Sequence, residues 1–198
     1  SLADHGATVV RIESETRPDL LRYLGPFAEN TPGLNRSQFY GNFNSSKLSA
    51  AINIGMDEGR DLARKMIEWA DVVLESFRPG AMARIGIDYE TMSKTKPGLI
   101  MYSTCIRGQV GPERFFPGTG AQGAALCGMV NITGWPDRQP CNVHGAYTDV
   151  IVPRFGAALI AASLLYRDRT GKGQHIDISQ VAPGVRFLEP LMLDYTVN

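Results

Sequence analysis

The feature that most constrains the fold is a regular alternation of apolar and amphipathic segments in residues 57–103. Residues 57–70 place Leu62, Met66 and Trp69 on one face of a helix, with Asp57 suited to cap its N-terminus. The apolar segment 71–75 follows directly, a second helical stretch covers 89–94, and residues 99–103 form another apolar run. Strands that alternate with helices at this spacing are typical of parallel sheets. The pattern predicts an α/β protein with one layered sheet and flanking helices.

The remainder of the chain extends this pattern in both directions. Residues 7–13 predict a buried strand, 14–46 a long loop rich in Pro, Gly, Asn and Ser, and 47–54 a second short strand. Further along, 118–128 predicts a small-residue helix, 175–178 a strand, and 185–192 a last helix. A strand arrives almost at once, and the last helix runs on without a cap. We therefore expect residues 1–198 to be part of a longer polypeptide.

The charge balance argues against a nucleic-acid partner. The chain has 20 basic and 20 acidic side chains, so it lacks the basic field that nucleic acids require. The longest apolar stretch, around residues 155–165, lies between Arg154 and Arg167 and is shorter than the ~18 residues of a membrane span. No signal-peptide pattern opens the chain. We expect a cytoplasmic protein with neither a nucleic-acid nor a membrane partner.

The spacing of cysteine and histidine does not indicate a metal site. Neither residue type forms a CxxC, HxxxH or HExxH pattern among the three cysteines and three histidines. Glycines 118, 120 and 123 fit the spacing GxGxxG, but they follow Phe116-Pro117 rather than a strand. This position does not favour a dinucleotide site.

Arginines at predicted loop positions are candidates for binding an anionic ligand. The stretch ESFRPG, residues 75–80, places Arg78 where a strand ends and the chain turns. Ligands of open α/β sheets lie at such carboxyl ends of strands, although composition alone favours an exposed arginine in a solvated turn. The other candidates of this kind are Arg22, Arg84 and Arg107.

A single carboxylate, Asp149, stands among apolar neighbours just ahead of the small-residue helix predicted at 155–163. Aspartate is a preferred N-cap, which accounts for its presence without any chemistry. If Pro153 is the first helical residue, however, Asp149 lies too early to cap. A carboxylate beside Tyr147, Val150 and Ile151 would then be partly desolvated, which raises its free energy unless something binds it. From the local sequence, capping and function both remain open.

Several motifs taken in order resemble the family III coenzyme A transferases, the carnitine dehydratase/bile-acid-inducible group. They cover essentially the whole chain, and the most specific is the last, R-x-TG-x-GQ-x-x-D-x-S. The motifs are GATVVRIE at 6–13, NSSKLS at 44–49, ESFRPG at 75–80, IGIDY at 85–89, GQVGP at 108–112 and RTGKGQHIDIS at 169–179.

This resemblance implies a Rossmann-like parallel sheet with flanking helices, within a fold whose two chains interlock as a homodimer. Family members are about twice as long, so residues 1–198 would be a large-domain fragment without the first strand and the C-terminal half. The family nucleophile is an aspartate just before a small-residue helix, which corresponds to Asp149. The glycine-rich active-site loop of the family would lie in the missing part.

The resemblance also implies a coenzyme A thioester as substrate, with no tightly bound cofactor and no metal, and small carboxylic acids as its other partners. Arg22 and Arg84 correspond to phosphate-contacting arginines, and Ser46 and Lys47 to the segment beside the nucleotide. Phe77 corresponds to the turn against the adenine. Ser76 departs from the usual asparagine there. Gln122 corresponds to a position near the catalytic aspartate.

Two alternatives remain open alongside the transferase. An α-methylacyl-CoA racemase would pair the aspartate with a histidine about thirty residues earlier, because proton removal and return need two groups. That position is near Thr119, and no histidine occurs between His5 and His144. The other alternative is a non-catalytic acyl-CoA-binding homologue.

Overall fold

The computed structural model describes residues 1–198 and divides them into two units, Ser1–Met66 and Ile67–Asn198. The boundary falls within the second helix. Five strands and eight α-helices follow one another, with three short 3-10 turns in the first unit. In chain order they are β1 (Val9–Glu13), α1 (Gln38–Phe43), β2 (Lys47–Ala51), α2 (Asp57–Trp69), β3 (Val72–Glu75), α3 (Ala81–Arg84), α4 (Tyr89–Met92), β4 (Ile100–Cys105), α5 (Gly120–Leu126), α6 (Tyr147–Thr170), β5 (Gln174–Ser179), α7 (Val181–Arg186) and α8 (Glu189–Val197).

The first unit contains a two-stranded parallel sheet. Strand β1 pairs with β2 from Val9 opposite Lys47 to Glu13 opposite Ala51. The connection between the strands is the predicted long loop, and it contains 3-10 turns at Leu20–Tyr23 and Ala28–Asn30 before α1. Parallel strands require such a crossover, since a hairpin turn cannot return the chain in the same direction.

The second unit contains a three-stranded parallel sheet in the order β3–β4–β5. Strand β4 is the central one, and its residues Ile100 to Tyr102 are almost completely buried, as is Leu99 just before it. This agrees with the continuous apolar run at 99–103, because the inner strands of parallel sheets are covered on both faces. Helices α3 and α4 connect β3 to β4, and α5 and α6 connect β4 to β5.

The α/β class with parallel strands is confirmed, whereas the expectation of one sheet is wrong. The strands belong to two separate sheets. Alternation of strands and helices reports that strands are parallel, but it carries no information about which strands are neighbours. The predicted last helix is also interrupted, as α7 ends at Arg186 and α8 begins at Glu189.

Helix α6 begins eight residues earlier than the sequence predicts, at Tyr147 rather than Phe155, and Pro153 lies inside it. A proline inside a helix has no N–H to donate to the carbonyl four residues earlier, which here belongs to Asp149. The helix continues because its buried side chains, among them Ile151, Val152 and Ile160, pack in the core. Helix α6 is long and apolar enough to cross a membrane by length and composition alone, and core helices of soluble proteins can have the same length and composition.

Glycines bring α5, α6 and α7 into close contact. A Cβ atom at Gly123 of α5 would lie 2.3 Å from the Oγ1 of Thr148, and one at Gly184 of α7 would lie 2.6 Å from the Sγ of Cys127. Neither distance is sterically possible, so both positions require glycine. The close packing places the N-terminal ends of α5 and α6 beside each other.

Candidate active site

Asp149 occupies the third position of α6, and both oxygens of its carboxylate accept hydrogen bonds from outside that helix. The backbone N–H of Gly120, the first residue of α5, donates to Oδ2 at 3.0 Å. The side-chain amide of Gln180 donates to Oδ1 at 2.7 Å. Asp149 also lies at the positive end of the dipole of a 24-residue helix, which stabilises an anion. The two donors fix the positions of both carboxylate oxygens of Asp149.

The expectation that Asp149 is partly desolvated by its sequence neighbours is wrong for this chain. Asp149 is exposed, whereas Thr148, Ile151 and Val152 are buried. Because Asp149 is helical rather than in an extended approach to Pro153, residues adjacent in sequence point in different directions around the helix. The apolar neighbours fix α6 in the core and leave the carboxylate on the open side.

The sequence left open whether Asp149 caps a helix, and in the structure it caps α5 rather than α6. Asp149 does not cap α6, whose N-cap residue is Ala146 and which has no side-chain cap. Its Oδ2 instead accepts the N–H of Gly120 in the first turn of α5, where backbone donors have no partner within their own helix. Asp149 therefore stabilises a neighbouring helix.

Gln180 contacts the Asp149 carboxylate and was not among the site residues that the sequence predicted. It follows the last residue of β5 and its backbone N–H donates to the carbonyl of Cys105 at 2.9 Å. The side chain spans from Asp149 to Thr148, whose hydroxyl lies 3.2 Å from the amide oxygen Oε1. One signal was available: Gln180 directly follows the most specific motif, at the carboxyl end of a parallel strand where ligands bind.

Gln122 lies two residues after Gly120 in α5 and forms its hydrogen bonds with Thr119 rather than with Asp149. Its Oε1 accepts from the backbone N–H of Thr119 at 2.9 Å and from the Thr119 hydroxyl at 2.7 Å, which closes the N-terminus of α5. Gln122 thus fixes the helix end that carries the Gly120 donor. The structure explains the GxGxxG spacing through the close approach of Gly120 and Gly123 to Thr148 and Asp149.

Two predicted loop arginines line one pocket of about 450 Å³ in the second unit, at the carboxyl end of β3. The side chains of Arg78 and Arg84 form no ion pair or hydrogen bond, and the aromatic ring of Phe115 lies on the same pocket. Arg107 differs, because it pairs with Glu113 at 2.7 Å. The pocket therefore offers two uncompensated positive charges beside an exposed aromatic face.

The turn before this pocket carries the residues expected at the adenine. Ser76 is exposed and the ring of Phe77 is half-exposed, and neither is among the residues that line the pocket. The backbone N–H of Phe77 donates to Oε2 of the buried Glu75 at 2.7 Å, which holds the turn in place. The adenine contact of Phe77 stays a prediction.

Arg22, in the first unit, is engaged by neighbouring protein groups. Its guanidinium donates to Glu13 at 2.6 Å, to Asn35 at 2.7 Å and to the hydroxyl of Tyr40 at 2.7 Å, and lies over the Tyr40 ring. A guanidinium has five N–H donors, so these contacts use much of its capacity. Its predicted phosphate contact stays a prediction and would require some of these partners to be exchanged.

Lys47 is the first residue of β2, and Ser46 lies in the turn just before it. Ser46 is exposed and has a φ of 59°, a left-handed conformation that sets the direction of the strand. Lys47 donates from Nζ to the carbonyl of Phe43 at 2.8 Å and to Oδ1 of Asn44 at 3.0 Å. Burial, and then the positive charge of Arg11, lowers the pKa of Lys47. The predicted place of both residues beside a nucleotide stays a prediction.

Asp177, in the motif RTGKGQHIDIS at 169–179, has a structural role. Asp177 on β5 accepts the backbone N–H of Gln109 at 2.9 and 3.0 Å from its two oxygens. It ties the loop after β4 to the end of β5, next to Gln180. No group of three or more His, Cys, Asp or Glu side chains lies close enough to hold a metal ion.

Comparison with known proteins finds a matching family and relatives over the whole chain. The model of the family described as CoA-transferase family III matches residues 1–198. A succinate–glutarate CoA-transferase of Agrobacterium fabrum is 36% identical over the whole chain, and an acetyl-CoA:oxalate CoA-transferase of Acetobacter aceti is 34% identical. The chain spans about half the length of each, 50% in both cases.

A solved structure is also similar to the chain over its whole length. The crystal structure of a CaiB/BaiF family protein from Brucella suis has a TM-score of 0.91 and 31% identity, and it covers 100% of this chain and 52% of its own. The similarity extends over both sheets and over the helices that hold Asp149. The chain belongs to CoA-transferase family III.

Proposed function

We propose that this chain is part of an enzyme that moves coenzyme A from an acyl-CoA donor to a carboxylic acid acceptor, with Asp149 as the nucleophile. The observation that carries the proposal is the exposed carboxylate of Asp149, held at Oδ1 by Gln180 and at Oδ2 by Gly120. A carboxylate that only capped α5 would need one of these contacts. Family membership over residues 1–198 supports the same reaction.

The first half of the reaction transfers the acyl group and then coenzyme A to Asp149. A carboxylate oxygen attacks the thioester carbonyl carbon, the C–S bond breaks, and the thiolate leaves with the bonding electrons, which forms an aspartyl-acyl anhydride. The thiolate then attacks the aspartyl carbonyl carbon, and the acyl group leaves as a free carboxylate. The product is an aspartyl-CoA thioester, so the activation of the thioester is retained.

The second half repeats these steps in reverse with the acceptor. Its carboxylate attacks the aspartyl thioester to form a new anhydride, and the released thiolate attacks the acceptor carbonyl to give the new acyl-CoA and free Asp149. The N–H of Gly120 faces the aspartyl oxygen that becomes negatively charged when the thiolate adds. A backbone donor already in place stabilises that charge without reorganisation.

The pocket lined by Arg78, Arg84 and Phe115 is the proposed position of the coenzyme A nucleotide. Two arginines without other partners suit phosphate groups, since guanidinium N–H groups match phosphate oxygens in geometry and charge. An exposed aromatic ring suits a stacked adenine. Coenzyme A would thus bind as substrate, and no resident cofactor is needed for the steps above.

Small dicarboxylic acids are the proposed acceptor class, and thioesters of small carboxylic acids are the proposed donor class, since one relative is named for acetyl-CoA as well as oxalate. The relatives named above act, by their names, on succinate, glutarate and oxalate. We further propose a cytoplasmic protein that assembles as an interlocked homodimer, which sedimentation of the complete gene product would test. A monomer at micromolar concentration would contradict the dimer.

Racemisation has less support than CoA transfer. The position where a racemase would carry its histidine is occupied by Thr119, and Gly120 beside it donates directly to Asp149. A residue there would stand close enough to share substrate with Asp149, but a threonine hydroxyl does not change its protonation state near neutral pH and so cannot serve as the second acid–base group.

The proposed function is tested with Asp149→Asn in the complete gene product, since asparagine keeps an acceptor for Gly120 but is not a nucleophile of this kind. Exchange of coenzyme A between succinyl-CoA and glutarate should fall at least about 1,000-fold, as expected for loss of a covalent nucleophile. Exchange at the wild-type rate would show that Asp149 does not carry the coenzyme.

A further inference from the structure

We propose that Thr148 is a positioning residue for the reaction at Asp149, because its hydroxyl holds in place both groups that donate hydrogen bonds to the Asp149 carboxylate. These two groups are the backbone of Gly120, the first residue of α5, and the side-chain amide of Gln180. The inference rests on the proposed function, since it concerns the surroundings of the nucleophile. It does not depend on which carboxylate oxygen attacks the thioester.

Thr148 is the second residue of α6 and is completely buried, although Asp149 beside it is exposed. Its Oγ1 donates to the carbonyl of Gly120 at 3.0 Å and lies 3.2 Å from Oε1 of Gln180. A hydroxyl has a single proton, so it donates to one of these acceptors at a time. Burial of a hydroxyl is unfavourable unless the group is hydrogen-bonded. The two acceptors therefore account for a polar side chain at this buried position.

Thr148 and Asp149 together hold each donor at two points. Gly120 is held through its carbonyl by Thr148 and through its N–H by Asp149. The Gln180 amide has its oxygen beside Thr148 and its nitrogen 2.7 Å from Asp149. A hydrogen bond to the amide oxygen also polarises the amide and strengthens the N–H donor at its other end. Two adjacent residues of one helix thus fix groups that belong to α5 and to the residue before α7.

The hydroxyl and the methyl group of Thr148 face different neighbours. A Cβ atom at Gly123 of α5 would lie 2.3 Å from Oγ1, so α5 can approach the hydroxyl only because residue 123 is glycine. A Cβ atom at Gly184 of α7 would lie 3.5 Å from Cγ2, which places the methyl group toward α7. Substitutions can therefore remove the hydrogen bonds and the methyl contact separately.

Fixed donors matter most when a nucleophile adds to the aspartyl carbonyl carbon. Addition of the thiolate to the anhydride, or of the acceptor to the thioester, places a negative charge on the oxygen that remains on this carbon. Both oxygens of Asp149 have a donor, so a half-turn of the carboxylate exchanges the oxygens but leaves one donor for this charge. The same donors also bind the free carboxylate, so we expect their displacement to reduce kcat by about 10-fold, less than the loss of a complete oxyanion donor.

The experiment compares two substitutions at position 148 in the complete gene product, with succinyl-CoA and glutarate as substrates. Thr148→Val keeps the branched shape and removes the hydroxyl, whereas Thr148→Ser keeps the hydroxyl and removes the methyl group. Thr133→Val is the matched control, because the hydroxyl of the half-buried Thr133 also donates to a carbonyl, that of Met129 at 2.7 Å. The kcat, the KM for each substrate and thermal unfolding are measured for every variant.

Thr148→Val should lower kcat about 10-fold with little change in KM for succinyl-CoA, whereas Thr148→Ser should keep a kcat close to the wild type. Thr133→Val should lose stability without losing kcat. A folded Thr148→Val with the wild-type kcat would overturn the positioning role. Equal losses of kcat in the valine and serine variants would overturn it too, because the methyl group rather than the hydroxyl would then be responsible.

A second variant covers the case in which Thr148→Val does not fold. Gln180→Met removes one of the two donors that Thr148 holds, at an exposed contact, and should also lower kcat. A wild-type kcat in Gln180→Met would overturn the proposal, whatever the behaviour of Thr148→Val.

The proposed function is checked separately by adding hydroxylamine to the wild type during turnover. Trypsin cleavage after Arg138 and Arg154 releases residues 139–154, in which Asp149 is the only acidic side chain. Absence of a hydroxamate from this peptide would remove Asp149 as the nucleophile, and this inference with it. A hydroxamate in the wild type together with an unaffected Thr148→Val would overturn only the role of Thr148.

Discussion

Gly120 and Asp149 lie 29 residues apart in sequence and are joined by a hydrogen bond of 3.0 Å from the backbone of one to the carboxylate of the other. The contact requires glycine, because a Cβ atom at position 120 would lie 2.7 Å from the Cγ and from the backbone nitrogen of Asp149. The N-terminal ends of α5 and α6 can approach this closely only without a side chain there.

Gly120→Ala should therefore destabilise the protein and reduce CoA transfer. Overpacking of this kind costs about 1–3 kcal/mol, and the displaced carboxylate loses its backbone donor. Thermal unfolding and exchange rates measure the two effects. Gly41→Ala, where a Cβ atom meets nothing within 4 Å, is the matched control. It should leave the exchange rate unchanged and raise stability by about 0.5–1 kcal/mol, because alanine is favoured over glycine inside a helix such as α1. Equal stability of the two variants would contradict the contact.

Two substitutions at Asp149 should separate its structural role from its chemistry. Asp149→Ala leaves the N–H of Gly120 without its partner and should lower stability by about 0.5–2 kcal/mol, as for other lost helix caps. Asp149→Asn keeps an acceptor and should be more stable than the alanine variant, although neither transfers coenzyme A. Chemical denaturation provides the comparison, and an alanine variant as stable as the asparagine variant would contradict a capping role.

Neutralising the free arginines should weaken binding of acyl-CoA. Each charged hydrogen bond to phosphate contributes about 1.5–3 kcal/mol, so Arg84→Gln should raise KM for acyl-CoA roughly 10- to 100-fold with little change in KM for the acceptor. Arg78→Gln should act in the same direction. The exposed Arg138, which approaches only its neighbour Asp137, provides the control Arg138→Gln. An unchanged KM in both pocket variants would place the nucleotide elsewhere.

Lys96 should make a measurable, pH-dependent contribution to stability. Its Nζ donates to the carbonyls of Ile67, Glu68 and Ala70 at the end of α2, and burial lowers the pKa of Lys96. Lys96→Met should lower stability at neutral pH by about 1–3 kcal/mol, because carbonyl acceptors lose a charged donor.

The sign of the pH effect follows from the direction of the shift. Between the lowered pKa of the folded protein and the ordinary value of 10.5, the unfolded chain binds more protons, so the Lys96 contribution rises with pH in that window. Urea denaturation of wild type and Lys96→Met just below pH 10 compares the slopes. A steeper rise in the variant than in the wild type would contradict the assignment.

The sequence predicted much of the fold because the strands around residues 9, 72 and 100 are short apolar runs bounded by helical patterns. It did not predict the division into two sheets, since strand order depends on long-range packing. The start of α6 was missed because Pro153 resembles a first helical residue, although buried Ile151 and Val152 carry the helix past it.

Residues in or beside a motif could be proposed for the site from the sequence, whereas contacts that depend on packing could not. Asp149 and Arg84 were proposed from motif order. Gly120 and Gln180 lie 29 and 31 residues from Asp149, and their contacts depend on how α5 and α7 meet α6. The exposure of Asp149 was likewise not predictable, because it depends on the direction of one residue around a helix that the sequence placed too late.

The central claim, that Asp149 carries the transferred group, is tested most directly by trapping it with hydroxylamine during turnover of the complete gene product. An anhydride or thioester on Asp149 would be converted to a hydroxamate, and the tryptic peptide 139–154 contains no other acidic side chain. The account predicts this hydroxamate only when acyl-CoA is present. Full turnover with an unmodified peptide and a hydroxamate on another peptide would contradict it.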